Sequence, residues 1–316
     1  MTKKLSKLLK RNGITNLKLL SADYQHLFTA YNKITGTDIV IKKYEIHKDF
    51  LNEMEIMQRI LQENDKSNDY YVPIPIILGF FAYHKKKIPI YCLMMEKINA
   101  IDLMSHLENN NLNKLNRFKI MKRLVEIIYN LHKIGIVHRD IKCENILIDL
   151  PNTNSIESKI NMTLIDFAYS KYIIKNKKEN VRAGTMNYYS PELFFCGKYN
   201  PKANDVWSIG VIIYVLASKG YYPLVYGLRP VKEDRRKVKK YFYKYQVSKI
   251  RFDIIDTDLI LVLKKIFVPE SKRIKIGDLK KIISPIINKI IMCAVYRNTD
   301  DVINMSPKRH VLHATL

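Results

Sequence analysis

The segment NDVWSIGVIIYVLAS, residues 204–218, carries apolar side chains on nearly every face of a helix. Such a helix has no side to turn to water, so it must be the buried centre of a larger helical layer. The chain can supply that layer: 316 residues, 47% hydrophobic and 27% charged, suffice for one large domain or two lobes and exclude disorder throughout. A second helix is expected where Ile120, Leu124, Ile127, Ile128 and Leu131 share a face and Gly135 follows as a stop. Upstream the pattern changes. Residues 17–41 are rich in β-branched and aromatic side chains, with Thr35-Gly36-Thr37-Asp38 placed as a hairpin connection. Helical spacing returns once, in FLNEMEIMQRILQ, before a strand-like run at 88–95. Two further short strands are expected at 145–148 and 162–165. The order predicts an α+β protein, a β-rich small lobe followed by a mainly helical large lobe.

Charge and cysteine usage narrow the class. With 54 Lys and Arg against 30 Asp and Glu, the formal net charge is +24. That excess would suit a phosphate-rich partner, yet Lys recurs with Asn, Ile and Tyr without pattern and reads largely as compositional drift. The tract 229–251, with ten basic and two acidic residues around Tyr241, Phe242, Tyr243 and Tyr245, keeps nucleic-acid binding as a competing reading. A solvated insertion is the favoured one. Cys92, Cys143, Cys196 and Cys293 lack paired spacing, which argues against a zinc site or a disulfide framework and fits a reducing compartment. MTKKLSKLLKRNG contains no apolar run of signal length, and IISPIINKIIMCAVY is broken by Pro285 and Lys289, so no secretion or membrane span is expected.

The chemistry concentrates in HRDIKCEN, residues 138–145, and in IDFA, whose Asp166 follows Asn145 by 21 residues. This pair of strings resembles the catalytic and metal-binding loops of eukaryotic protein kinases. The resemblance implies a bilobal kinase fold in which Asp140 orients the incoming hydroxyl, while Asn145 and Asp166 hold Mg²⁺ or Mn²⁺ against the phosphates of ATP. Lys142 then lies near the transferred phosphate and points to the serine/threonine branch. By the same resemblance IVIKKY supplies the phosphate-anchoring Lys42. LNEMEIMQRI supplies its partner, for which the spacing of Ile56, Met57 and Ile60 selects Glu53 over Glu55. AGTMNYYSPEL is similar to the end of an activation loop: Thr185 supports Lys142, and Glu192 pairs with Arg273 of PESKRI. Asp205 would brace the catalytic loop, and Phe167 belongs to the metal turn. YCLMMEKI resembles the strand entering the hinge, with Met95 as gatekeeper, Glu96 and Ile98 as backbone contacts, and Leu20, Leu27, Val40 and Leu147 beside the adenine. The likeness covers residues 17–290, with lobes at about 17–96 and 99–290. It leaves a basic segment 1–16 and a tail 291–316. GTMNYYSPEL and DVWSIGVIIYVLA are similar to the AMP-activated and checkpoint kinase branch.

Two departures stand out. Where the family has a glycine-rich loop, this chain has LLSADYQHLF, the glycine positions falling on Leu20, Ala22 and Gln25, so a weaker grip on nucleotide is expected. Ala168 replaces the glycine of the metal turn. These keep a pseudokinase scaffold as the alternative; against it stand Lys42, Glu53, Asp140, Asn145 and Asp166, which a scaffold does not need. Asp102 and Glu144 match acidic positions that hold a basic residue N-terminal to the phosphorylated Ser or Thr of a protein substrate. Arg139 matches the residue that binds an activation-loop phosphate. Between Asp166 and Thr185 the only hydroxyls are Tyr169, Ser170 and Tyr172, close to the metal turn, so Glu179 is expected to give Arg139 a permanent carboxylate partner. An intracellular protein, cytoplasmic or nuclear, is the expectation.

Overall fold

Alternation in the first third and helical spacing thereafter separate into two lobes. The computed structural model of the chain describes residues 3–20, 26–67, 69–109, 112–150, 158–174, 177–224, 247–255 and 257–303. Strands β1 (Ile14–Leu19), β2 (Leu27–Asn32), β3 (Thr37–Tyr44), β4 (Ile77–Lys85) and β5 (Ile88–Glu96) form a five-stranded antiparallel sheet in the order β1-β2-β3-β5-β4. Period-two alternation gives the sheet two faces. Lys42 and Tyr44 share one with Leu93 and Met95, and there α2 (His47–Lys66) packs Phe50, Ile56, Met57 and Ile60. Glu53 is the one charged residue buried on that helix, which marks it for a role other than packing.

The opposite face is covered by residues that the sequence reading left outside the domain. Helix α1 (Lys3–Arg11) buries Leu5 and Leu9 against Phe28, Ile39, Ile41 and Cys92. Residues 3–16 are therefore a wall of the small lobe, not a separate basic arm. Leu5, Leu8 and Leu9 fall three and four apart and so line one side, while Lys7, Lys10 and Arg11 stay exposed.

The lower lobe is built around α5 (Pro201–Ala217), where all thirteen residues from 204 to 216 are buried, Trp207 fully. Asn200 caps this helix by accepting from the Lys202 and Ala203 amides, and Pro201 suits its first turn. Around it lie α4 (Lys114–Lys133), α6 (Thr257–Ile266) and α7 (Ile276–Ile303). A β-carbon on Gly210 would run into Ile266, so the glycine sets the close approach of α5 and α6. Helix α7 continues past residue 290, where the tail was expected to begin. Short strands β6 (Ile101–Asp102), β8 (Ile146–Asp149) and β9 (Asn161–Leu164) form one small sheet, and β7 (Ile136–Val137) with β10 (Lys171–Tyr172) another. They carry the loops of the cleft. No helix among the described residues is long and apolar enough to cross a membrane. Ala22 and Gln25 of the degenerate loop, and residues 229–246 of the basic tract, lie outside the described residues.

Candidate active site

The catalytic loop hangs from the central helix. Asp205 on α5, fully buried, accepts from the His138 and Arg139 amides at 3.0 and 2.9 Å and lies 2.8 Å from His132 Nε2. These bonds hold Arg139 at φ +71°, a backbone state that a non-glycine residue seldom adopts unaided. Gly184 packs on the same turn at φ +98°, where a β-carbon would collide with the Arg139 carbonyl. The next residue then delivers its hydroxyl: Thr185 Oγ1 donates to Asp140 Oδ1 at 2.9 Å. Lys142 Nζ stands 3.5 Å from Asp140 Oδ2, and Asn145 Nδ2 donates to the Asp140 carbonyl at 2.9 Å and to Oδ2 at 3.3 Å. The Asp140 carboxylate is thus fixed in direction on both oxygens.

Across the cleft, Lys42 Nζ donates to both Glu53 oxygens at 2.8 and 2.7 Å and to Asp166 Oδ1 at 2.7 Å. It is Glu53, and not Glu55, that makes the pair. Burial alone would lower the Lys42 pKa, yet the two carboxylates outweigh it and raise it, so the ammonium is retained. For Asp166 burial would raise the pKa, but Lys42, with smaller help from His138 and Lys142, holds it below the ordinary value. Glu53 also accepts from the Phe167 amide at 3.2 Å, and the Phe167 ring sits 5.0 Å from that of His138. Helix α2, the metal turn and the catalytic loop are therefore mutually engaged.

One part of this lock left no sequence signal. Asn52, beside Glu53, donates from Nδ2 to the Ser170 carbonyl at 3.1 Å and reaches that of Ala168 at 3.5 Å. Ser170, fully buried, donates from Oγ to the His138 carbonyl. The metal turn is so fixed by side chains from both lobes.

The residues expected beside the nucleotide lie on neighbouring strands. In the sheet Val40 faces Met95, Ile39 faces Glu96 and Leu27 faces Lys42; below, Leu147 pairs with Asp102 across β6 and β8. Leu20 is exposed, its amide donating to Leu27. Glu96 Oε1 accepts from the Ile76 amide, which fixes the strand end from which Ile98 follows. As for metal, Asn145 commits its amide nitrogen to Asp140, leaving Oδ1 as acceptor, and Asp166 has a second carboxylate oxygen beyond the one on Lys42. No group of three His, Cys, Asp or Glu suited to a metal occurs among the described residues. Two hard oxygen ligands completed by phosphate and water would suit a hard divalent cation.

One expectation changes. Glu179 does not pair with Arg139: its Oε2 accepts from Lys171 at 2.9 Å. Burial would raise the Glu179 pKa, but Lys171 chiefly, then Arg139 and Lys177, keep it lowered. The Arg139 guanidinium instead donates to Tyr199 Oη at 3.0 Å, the Tyr169 carbonyl at 3.1 Å and the Val181 carbonyl at 2.9 Å. Counting along an irregular loop fixed the neighbourhood of Glu179 but not its partner. Asp102 is likewise engaged, capping α3 (Leu103–Glu108) by accepting from the Ser105 amide and hydroxyl at 2.9 and 2.7 Å. Glu144 accepts from Tyr188 Oη at 3.4 Å. Glu192 and Arg273 form a buried pair at 2.9 Å, with the guanidinium over the Trp207 ring.

A lysine held by two carboxylates above, and an oriented aspartate with an asparagine below, face each other in the arrangement that phosphoryl transfer from a nucleoside triphosphate requires. Residues 22–281 match the protein kinase domain family. The chain belongs to that family, whose members use ATP and a divalent cation. It is similar to an Aurora kinase of Eremothecium gossypii, 28% identical over 245 residues, covering 76% of this chain and 58% of that one. Similarity extends to the serine/threonine-protein kinase SRK2B of Arabidopsis thaliana, 34% identical over 164 residues, covering 51% of this chain and 42% of the other. A probable serine/threonine-protein kinase 2 of Plasmodium falciparum is 25% identical over 215 residues, 66% of this chain and 38% of its own. The chain spans between about two fifths and three fifths of the length of these relatives.

Proposed function

We propose that the chain transfers the γ-phosphate of ATP to Ser or Thr residues of protein substrates. The observation that carries this reading is the joint engagement of Lys42 with Glu53 and Asp166, opposite an Asp140 held by Thr185, Asn145 and Lys142. Asp140 orients the substrate hydroxyl and takes its proton as the oxygen–phosphorus bond forms. The bond to the β,γ-bridging oxygen breaks, leaving ADP. Lys42 anchors the phosphates and Lys142 neutralises charge on the moving group. Mg²⁺ or Mn²⁺ bound to Asn145 and Asp166 would supply further neutralisation.

Phe167, Arg139, Glu192, Asp205 and Arg273 hold this arrangement without touching the reacting atoms. Glu144, and Asp102 as far as its capping role permits, favour a basic residue N-terminal to the target hydroxyl. Three N–H groups of the Arg139 guanidinium are already engaged, and on this reading the segment is ordered without a phosphate. The alternative, a pseudokinase scaffold, rests on Leu20, Ala22 and Gln25 in place of glycines and on Ala168.

Radiolabelled ATP and a Ser/Thr peptide library, with Mg²⁺ or Mn²⁺, decide between them. Wild type should label peptides and Asp140→Asn should not, while both bind ATP alike. Equal inertness of the two proteins replaces the enzyme by the scaffold. An acidic or proline-directed profile removes the basic-residue preference alone.

A further inference from the structure

Two adjoining cavities open on the lower lobe, of about 670 and 820 Å³, sharing Lys202, Lys275 and Ile276. Each has the size of a ligand site. Neither is lined by Lys42, Asp140 or Asp166. The first lies among β10 and the residues after it, the start of α5 and the loop before α7. Its lining combines two chemistries. Ile174, Ile274 and Ile276 provide apolar surface, and lysines outnumber the acidic Glu179 and Glu270 in the charged part.

The charges there do not cancel. Lys171 is matched by Glu179 at 2.9 Å, and Lys178 by Glu270 at 2.6 Å. Lys177, Lys202 and Lys275 are exposed and form no ion pair among the described residues. Lys202 sits in the first turn of the 17-residue α5, which holds no acidic residue there. The positive end of a helix dipole disfavours a cation at that place. A local excess of positive potential results, which an anionic partner would relieve. The second cavity extends it: Lys133 and Lys280 lie 5.6 and 4.3 Å from the centre of the Tyr129 ring, and the nearby Asp278 is 3.7 Å from Lys281.

We infer that this trough docks an acidic segment of a protein partner. One apolar side chain of that segment would rest on Ile174, Ile274 and Ile276, with Asp or Glu residues against Lys177, Lys202 and Lys275. A polyphosphate or nucleic-acid strand could meet the lysines but would leave the apolar surface unused. A peptide with an apolar anchor flanked by carboxylates uses both. The segment is opposite in charge to the residues preferred beside the target hydroxyl, so the trough and the cleft would select different parts of a partner.

The test is fluorescence anisotropy of the full chain with a short fluorescein-labelled Asp/Glu-rich peptide carrying a central Leu. Binding should weaken as salt rises. The double variant Lys202→Glu/Lys275→Glu should bind at least about tenfold less tightly, through lost attraction and new repulsion. Replacing the peptide's Leu by Gly should also weaken binding, and Lys85→Glu on β4 should leave it unchanged. Because both variant lysines are exposed, the fold is spared, and labelling of a short peptide lacking the acidic segment should match wild type. The assay reads binding, so it stands whether or not phosphate is transferred. Unchanged affinity in the double variant overturns the proposal. So does displacement of the peptide by a single-stranded oligonucleotide together with indifference to the Leu, which would mark a general polyanion surface.

Discussion

Tyr199→Phe is the sharpest test of how the activation segment is held. The phenol oxygen accepts from Arg139 Nε at 3.0 Å and donates to the Val181 carbonyl at 3.3 Å, which also accepts from Arg139 Nη2 at 2.9 Å. These three groups close a ring of hydrogen bonds in which Tyr199 is fully buried. Removing the hydroxyl deletes one charge-assisted bond, worth about 1.5–3 kcal/mol, and one neutral bond worth about 0.5–1.5 kcal/mol, and strands a guanidinium N–H. A total near 2–4 kcal/mol is expected. If only 2 kcal/mol of this falls on the ordering of the segment, its ordered population relative to the loosened one drops by up to about 30-fold. The assay is kcat/KM for a peptide substrate, alongside the melting temperature, for enzyme made in bacteria and treated with phosphatase. Wild type should keep its activity after phosphatase; Tyr199→Phe should lose about tenfold or more and melt several degrees lower. Phosphatase abolishing wild-type activity would refute the reasoning, as would a Tyr199→Phe protein with unchanged kinetics and melting.

Other perturbations address single contacts. Asn52→Ala removes the α2 tie to the Ser170 and Ala168 carbonyls, and should lower kcat by severalfold at about 1 kcal/mol, measured by steady-state kinetics. Leu9→Ala, at a side chain packed between α1 and the sheet, should destabilise the protein by about 2–5 kcal/mol in urea denaturation. Burial pushes the Cys92 and Cys143 thiols up to about 12, so neither should take iodoacetamide in the native protein, and both should after denaturation, read by peptide mass spectrometry. The Asp166 pKa is lowered in the fold from 3.8, so its contribution to stability is full above 3.8 and is lost as pH falls through the depressed native value. The melting-temperature gap between wild type and Asp166→Asn should therefore be steady from pH 7 to pH 5 and shrink only in stronger acid.

What the sequence disclosed depended on how local the information was. HRDIKCEN and IDFA are short strings whose residues act within one or two turns of each other, and Asp140, Asn145 and Asp166 were nameable for that reason. The α5 segment announced its own burial because its apolar residues surround the helix. Glu53 could be separated from Glu55 since two residues along a helix turn the face by about 200°. By contrast Tyr199 and Arg139 meet across 60 residues of chain, and no spacing rule reports such a contact. Helix α1 was misread because its lysines dominate composition, whereas its leucines, three and four apart, decide where it packs.

The family match begins at residue 22, yet the small lobe begins earlier. Strand β1 forms an edge of the sheet, and α1 keeps water from the face that bears Ile39, Ile41 and Cys92. Those three alternate along β3 and β5 with the residues that carry Lys42 and Met95, so the outer leucines and the phosphate-anchoring lysine are two sides of one pleated layer. A polypeptide shortened to the recognised stretch would keep every residue of the chemistry and lose the roof above it. Its exposed isoleucines and bare strand edge would invite self-association, so solubility, before catalysis, would show where this domain starts.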